Sequence, residues 1–138
     1  MLIHSAAGGV GLAAIQIAKM IGAEIFATCG SPEKRKFLIE KHGIPDSHIF
    51  SSRDTSFSDE LLTLTKRRGA DVVLNSLTGD LLQESWRCIA KFGRFVEIGK
   101  RDMIYSAKLC MREFLRCTSF TAMDLGELWL EREPLLLQ

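Results

Sequence analysis

The sequence predicts an α/β fold: a doubly wound parallel sheet with helices on both faces. Three observations carry that prediction. Short apolar runs of strand character alternate along the chain with amphipathic stretches of helical length. The joints fall at turn-forming residues such as Gly22, Gly30-Ser31-Pro32, Gly43 and Gly69. The first apolar run passes into a helix through a glycine-rich turn, Ser5-Ala6-Ala7-Gly8-Gly9-Val10-Gly11.

That turn organises the rest of the chain. Residues 2–4 read as the end of a buried strand and residues 12–21 as a helix leaving the turn. Strand, glycine turn and helix make a phosphate cradle, because glycines let the backbone approach a pyrophosphate and a helix N-terminus offers unpaired N–H groups. Gly8 and Gly11 take the second and third glycine positions of the dinucleotide fingerprint, and Ala6 replaces the first.

Composition excludes several other classes. With 138 residues the chain is long enough for one domain with a core. A net charge of +1 gives no bulk attraction to nucleic acid or to a membrane surface. No apolar run approaches the ~18–20 residues that span a bilayer. Cys29, Cys88, Cys110 and Cys117 form no C-x-x-C pair, which argues against a zinc site and a disulfide framework. Cys29 and Cys88 fall in apolar stretches and read as small core residues. No signal peptide and a reducing, cytoplasmic setting are expected. The abrupt start and the apolar run Leu135-Leu136-Leu137-Gln138 suggest a piece of something larger.

The elements follow in order. The first helix carries Ala14, Ile17, Ala18 and Ile21 as its inward stripe, and Gly22 ends it. Residues 23–29 are the second strand. Ser31 and Pro32 start a second helix as N-cap and first helical residue, and Gly43 stops it. Residues 48–50 are a short third strand. Phe57, Leu61, Leu62 and Leu64 define a third helix, closed by Lys66-Arg67-Arg68-Gly69, whose cations suit a last helical turn. Residues 70–75 are the fourth strand. Residues 79–90 read as a fourth helix, with Leu82, Trp86, Ile89 and Ala90 inward. Residues 94–98 are the fifth strand and 119–123 a sixth. A last helix starts at Asp124 and is interrupted by Pro134. Residues 101–118 carry no clear pattern.

Right-handed crossovers order such a sheet 3-2-1-4-5, with strand 6 outside. This is a Rossmann-type arrangement, and its ligands sit at the carboxyl ends of the strands, by the switch point between strands 1 and 4. An acid about 20 residues past the glycines marks NAD. Here that place holds Cys29-Gly30-Ser31, followed by Lys34 and Arg35. A hydroxyl and two cations attract a 2′-phosphate that a carboxylate would repel, so NADPH is favoured.

The segment from His4 to Ala18 resembles the nucleotide-binding segment of medium-chain dehydrogenases/reductases, on the zinc-free quinone-reductase side. Gly30-Ser31-Pro32-Glu33-Lys34-Arg35, Ser51-Ser52-Arg53-Asp54-Thr55-Ser56-Phe57, Asp71-Val72-Val73-Leu74-Asn75-Ser76-Leu77 and Gly93-Arg94-Phe95-Val96-Glu97-Ile98-Gly99-Lys100 resemble the enoyl-reductase domain of polyketide synthases and animal-type fatty acid synthases. Fungal reducing polyketide synthases are the nearest flavour. The resemblance covers about residues 2 to 124.

It implies that NADPH delivers hydride to the β-carbon of an α,β-unsaturated acyl thioester held on a carrier protein. It also implies cofactor contacts from Ala7, Gly8, Gly9, Val10 and Gly11 in the turn, and from Gly30, Ser31, Lys34 and Arg35 after the second strand. Arg53 follows the third strand, Asn75, Ser76 and Leu77 the fourth, and Gly99 the fifth. Lys100 is the implied proton donor and Asp124 the second catalytic candidate, with a helix cap as its plain alternative. No metal is expected. His4, His42 and His48 read as non-catalytic. Implied partners are the carrier-bound acyl chain, the other domains of a synthase, and a second copy joined through the outer sheet edge at residues 117–123.

Residues 1–124 are expected to form the NADPH-binding subdomain and 125–138 the start of a return toward a separate, largely β substrate domain. Without that domain, weak or moderate NADPH binding and little turnover are expected. A quinone or 2-alkenal reductase of the same superfamily remains an alternative, as does a non-catalytic structural remnant.

Overall fold

In the computed structural model, which describes residues 1–136, six parallel strands form one sheet. They are β1 (Leu2–Ile3), β2 (Phe26–Cys29), β3 (Ile49–Ser51), β4 (Ala70–Asn75), β5 (Ile89–Glu97) and β6 (Ser119–Ala122). Their order is β3-β2-β1-β4-β5-β6, the order expected with strand 6 outside. The helices are α1 (Gly9–Met20), α2 (Pro32–His42), α3 (Ser56–Leu64), α4 (Asp80–Arg87), α5 (Arg101–Ile104) and α6 (Leu125–Leu136).

Alternation along each strand splits the core into two layers. Leu2, Phe26, Phe50, Val73 and Phe95 join Phe57 and Leu61 of α3 and Leu82 and Trp86 of α4. Ile3, Ala27 and Ile49 point the other way, to Ala14, Ile15 and Ala18 of α1 and Leu38 of α2. A sheet buried on both faces in this way has the near-continuous apolar strands read from the sequence. Cys29 and Cys88 are both buried.

Four local readings are corrected. The inward stripe of α1 is Gly11, Ala14, Ile15 and Ala18, while Ile17 and Ile21 are 59% and 71% exposed. Its phase is set by Gly11, whose Cα lies so close to the preceding turn that a Cβ there would stand 2.6 Å from Ala6. α4 ends at Arg87, and Ile89 and Ala90 are buried as the start of β5. Ala70 draws them into the sheet by donating its N–H to the carbonyl of Cys88 at 2.9 Å. The strand then breaks register, with Phe92 at φ +61°. Lys66 and Arg67 lie beyond α3 in the left-handed region, and Arg68 pairs with Asp71 instead of capping the helix. α6 runs through Pro134, whose fixed φ suits a helix and which removes one N–H without forcing a stop. Leu137 and Gln138, the end of the apolar run, lie outside the described residues.

Residues 101–118 form α5, a loop and a 3-10 turn over Met111–Arg116. Side chains of α4 tie this segment down. Gln83 Nε2 donates to the Lys108 carbonyl at 2.6 Å, and Trp86 Nε1 donates to that of Cys110 at 2.7 Å.

Candidate functional site

β1 stops at Ile3 because the chain must turn out of the sheet to start α1. Ser5 takes φ +50°, and the Ala6 N–H donates to the Thr28 carbonyl at 2.9 Å, fastening the turn to β2. Gly8 caps α1 from extended backbone with no side-chain cap, and the first turn of α1 holds no acid. The first-turn N–H groups and the positive end of the helix are therefore left for an anion. A Cβ on Gly9 would meet nothing within 4 Å, so the space before it is open.

From this turn a cleft of about 390 Å³ runs across the carboxyl ends of β1 and β2. Ser5, Ala7 and Gly8 form one end, Cys29 and Gly30 the floor, and Lys34, Ser52 and Arg53 the other end. Arg53 is laid over the floor, its Nε donating to the Gly30 carbonyl at 3.0 Å. Among the described residues no carboxylate lines the cleft. Of the residues singled out beside β2, Gly30 and Lys34 face this space. Ser31 caps α2 by accepting from the Lys34 N–H at 3.3 Å. Arg35 is committed elsewhere: its Nε reaches Asp46 Oδ1 at 2.6 Å and its guanidinium also donates to the Asp46 carbonyl. That guanidinium holds the Asp46 carboxyl below the usual range. Gly9, Val10 and Gly11 shape the helix start and do not line the cleft.

The other side of the switch point is built by the loops after β4 and β5. Asn75 is buried, with Leu77 folded back on it through two hydrogen bonds. Ser76 approaches Ser5 across the switch point, hydroxyl to hydroxyl, at 3.5 Å. Glu97 closes β5 and accepts from Asn75 Nδ2 at 2.5 Å and from the Gly99 N–H at 2.6 Å. Lys100 follows, and its Nζ meets Asp124 Oδ1 at 2.6 Å. The two residues singled out for catalysis thus form one ion pair. Asp124 Oδ1 also accepts from the Gly126 and Glu127 N–H groups, so the carboxylate caps α6 as well. Lys100 first, and those two N–H groups next, hold its pKa below the ordinary value.

Sequence reasoning did not single out Ser5, Ser52 or Glu97. Ser52 stands next to Arg53 and was within reach of that argument. Glu97 was signalled by an acid directly following the apolar pair Phe95-Val96 near the end of the strand. His4 is buried, with its ring nitrogens hydrogen-bonded to the Thr28 and Ser85 hydroxyls.

Fold and cleft together define the dinucleotide-binding half of a dehydrogenase or reductase. The profile of the zinc-binding dehydrogenase family matches residues 9–125, and the chain belongs to that family. It is 54% identical to the highly reducing polyketide synthase fogA of Aspergillus ruber over 97% of this chain and 6% of that protein. It is 58% identical to the highly reducing polyketide synthase anuA of Penicillium roqueforti over 94% of this chain and 6% of that protein. The chain therefore spans a small part of the relatives it matches. Among solved structures it resembles the nucleotide-binding subdomain of the enoylreductase domain of PpsC from Mycobacterium tuberculosis. There the TM-score is 0.87 and the identity 44%, over 96% of this chain and 72% of that one.

The family's name implies zinc, and the residues do not fit it. Among the described residues no three His, Cys, Asp or Glu side chains gather as ligands. A nicotinamide dinucleotide does fit: the open helix N-terminus, the close approach at Gly11 and the cationic end of the cleft suit pyrophosphate and ribose. No described helix is long and apolar enough to cross a membrane.

Proposed function

We propose that this chain is the NADPH-binding subdomain of an enoyl reductase that acts on α,β-unsaturated acyl thioesters held on a carrier protein within a reducing polyketide synthase. One observation carries the choice of cofactor. Lys34, Ser52 and Arg53 converge on the adenosine end of a cleft that no carboxylate among the described residues lines, where a 2′-phosphate needs cations and hydroxyls. The α1 N-terminus holds the pyrophosphate, and Asn75, Ser76, Leu77 and Gly99 border the nicotinamide ribose. NADPH, when bound, supplies the hydride. Lys100 holds a proton at Nζ for the α-carbon of the reduced thioester, and Asp124, 2.6 Å away, keeps that group aimed. α6 begins the return toward the substrate domain.

Calorimetric titration with NADPH and NADH tests this reading. The wild-type chain is expected to prefer NADPH. Lys34→Ala/Arg53→Ala should weaken NADPH about tenfold or more, the size of a lost charged hydrogen bond, and leave NADH near its starting affinity. Arg35→Ala should change little, because its guanidinium already serves Asp46. Failure to bind either nucleotide, or equal loss of both in the double variant, would overturn the reading.

The outer edge supports a second copy as partner. β6 is paired on one side, to β5, and exposes most of its residues. An open edge strand presents unpaired N–H and C=O groups that a second chain can satisfy. Sedimentation equilibrium is expected to show a dimer at high protein concentration, and a clean monomer there would remove it.

A further inference from the structure

Glu97 is 4% exposed, yet among the described residues no lysine or arginine pairs with it. A buried carboxylate is costly unless hydrogen bonds replace its water. Here both oxygens are used. Oε2 accepts from Asn75 Nδ2 at 2.5 Å and Oε1 from the Gly99 N–H at 2.6 Å. Both neighbours are donors, so the position requires two acceptors. Glutamine, the same shape without the charge, brings an N–H against one donor or the other.

The clamp reaches further than its two bonds. Asn75 Nδ2 also donates to the Leu77 carbonyl at 2.8 Å, and Asn75 Oδ1 accepts from the Leu77 N–H at 3.3 Å. The carboxylate thus sets the loop after β4 through Asn75, and the loop leading to Lys100 through Gly99. A second tie joins the same loops, from the Gly79 N–H to Asp102 Oδ2 at 3.0 Å. Both loops leave the carboxyl edge of the sheet on the far side of β1 from Lys34 and Arg53. With the 2′-phosphate at those cations and the pyrophosphate on α1, the nicotinamide half falls between the clamped loops.

We propose that Glu97 is a positioning residue for the nicotinamide half of the cofactor, its carboxylate bridging Asn75 and Gly99 so that the loops after β4 and β5 hold one spacing. The inference rests on the cofactor reading given above and adds to it a residue that need not touch the ligand.

The test separates the two halves of the cofactor. 2′,5′-ADP carries the 2′-phosphate end and lacks the nicotinamide. Its affinity and that of NADPH are measured by calorimetry on the wild-type chain, E97Q, N75D and N75D/E97Q, with folding checked by circular dichroism. In E97Q, 2′,5′-ADP should bind within about twofold of wild type while NADPH weakens about tenfold, the scale of one lost hydrogen bond to a charged group. N75D, which sets carboxylate against carboxylate, should do the same. In N75D/E97Q the new amide donates to the new carboxylate and still accepts from Gly99, so NADPH binding should recover above either single variant. An E97Q that binds both ligands as wild type does, or loses both in parallel, overturns the inference, because a merely structural role moves both. If E97Q folds poorly, the double variant decides. A smaller deficit confined to NADPH supports the clamp, and a parallel deficit overturns it. A wild-type chain that binds neither ligand removes the cofactor reading, and the inference falls with it. One that binds both leaves that reading standing whatever the variants do.

Discussion

Replacing Trp86 with alanine is expected to cost about 3–5 kcal/mol of stability, the range for deleting a large buried aromatic. A domain of this size holds roughly 5–15 kcal/mol in total, so the variant should be marginally folded. Trp86 is fully buried, and three phenylalanines pack on it. Phe95 and Phe120 meet it edge-on at 5.4 and 5.7 Å, and Phe114 lies 4.9 Å away. Those rings come from β5, β6 and the 3-10 turn before β6, so the indole joins α4 to all three. Its Nε1 also holds the Cys110 carbonyl at 2.7 Å. Loosening should therefore begin at β6 and residues 101–118, not at the glycine turn. Urea unfolding should show a lower midpoint, and hydrogen exchange of the variant should show β6 amides losing protection before those of β1 and β4. Trp86→Phe should retain most of the packing and lose chiefly the bond to Cys110. A loss below about 1 kcal/mol in Trp86→Ala would mean that the rings do not form one packed unit.

The same packing shows why part of the fold was legible and part was not. The order of all six strands followed from alternation and handedness, because parallel strands buried on both faces announce themselves as apolar runs. Residues 101–118 had no such signal. A four-residue helix and a 3-10 turn are too short for a periodic stripe, and the segment is held by Gln83 and Trp86, more than twenty residues away. Two helical readings failed because more than one phase was available. In α1, Ile17 and Ile21 offered a plausible stripe, and the choice went to the face that carries Gly11. In α4, Ile89 and Ala90 continue a helical period, and pairing with Ala70 took them into the sheet.

The candidate site divides in the same way. The places of the glycine turn and of Lys34 at the cleft were readable because they are set by neighbours in sequence. Arg35 was equally readable as a cation. That it faces Asp46 is decided by the 3-10 turn before β3, which no local pattern reveals. Glu97 owes its importance to Asn75, on the adjacent strand. Lys100 and Asp124 were separate candidates in the sequence, and the parallel pairing of β5 with β6 brings their two strand ends side by side.

His4 should make the fold sensitive to mild acid. The ring is 3% exposed, and burial pushes its pKa down to about 3. Its partners fix the neutral form. The Ser85 hydroxyl donates to the Leu81 carbonyl at 2.6 Å, so His4 Nε2 must donate to Ser85 Oγ, at 2.8 Å. Nδ1 is then the acceptor, taking the Thr28 hydroxyl at 3.0 Å. In the unfolded chain an ordinary histidine titrates near 6.5. Above that value neither state holds the proton. Between about 6.5 and 3 the unfolded chain holds it and the folded chain does not, so stability falls as pH falls. The limiting slope is about 1.4 kcal/mol per pH unit, and from pH 8 to pH 5 the loss should reach about 2 kcal/mol. Asp46, Asp71 and Asp124, whose pKa values are lowered, add losses of the same sign below their ordinary range, later in the titration and screened by solvent. Glu97, raised by burial, acts oppositely, because the folded state keeps its proton to higher pH. Urea unfolding of wild type and His4→Gln at pH 8, 6 and 5 isolates the histidine, since the variant should lose much less over that range. The effect should also reach the cofactor. Thr28 Oγ1, which donates to His4, accepts the Ser5 N–H at 3.2 Å, and Ser5 begins the glycine turn. Protonating Nδ1 would force that hydroxyl to turn away from the ring, unsettling the residue that aims the α1 N-terminus at its anion. A wild-type chain as stable at pH 5 as at pH 8 would show that the ring is hydrated or held by a second acceptor, and the account of the turn would have to change with it.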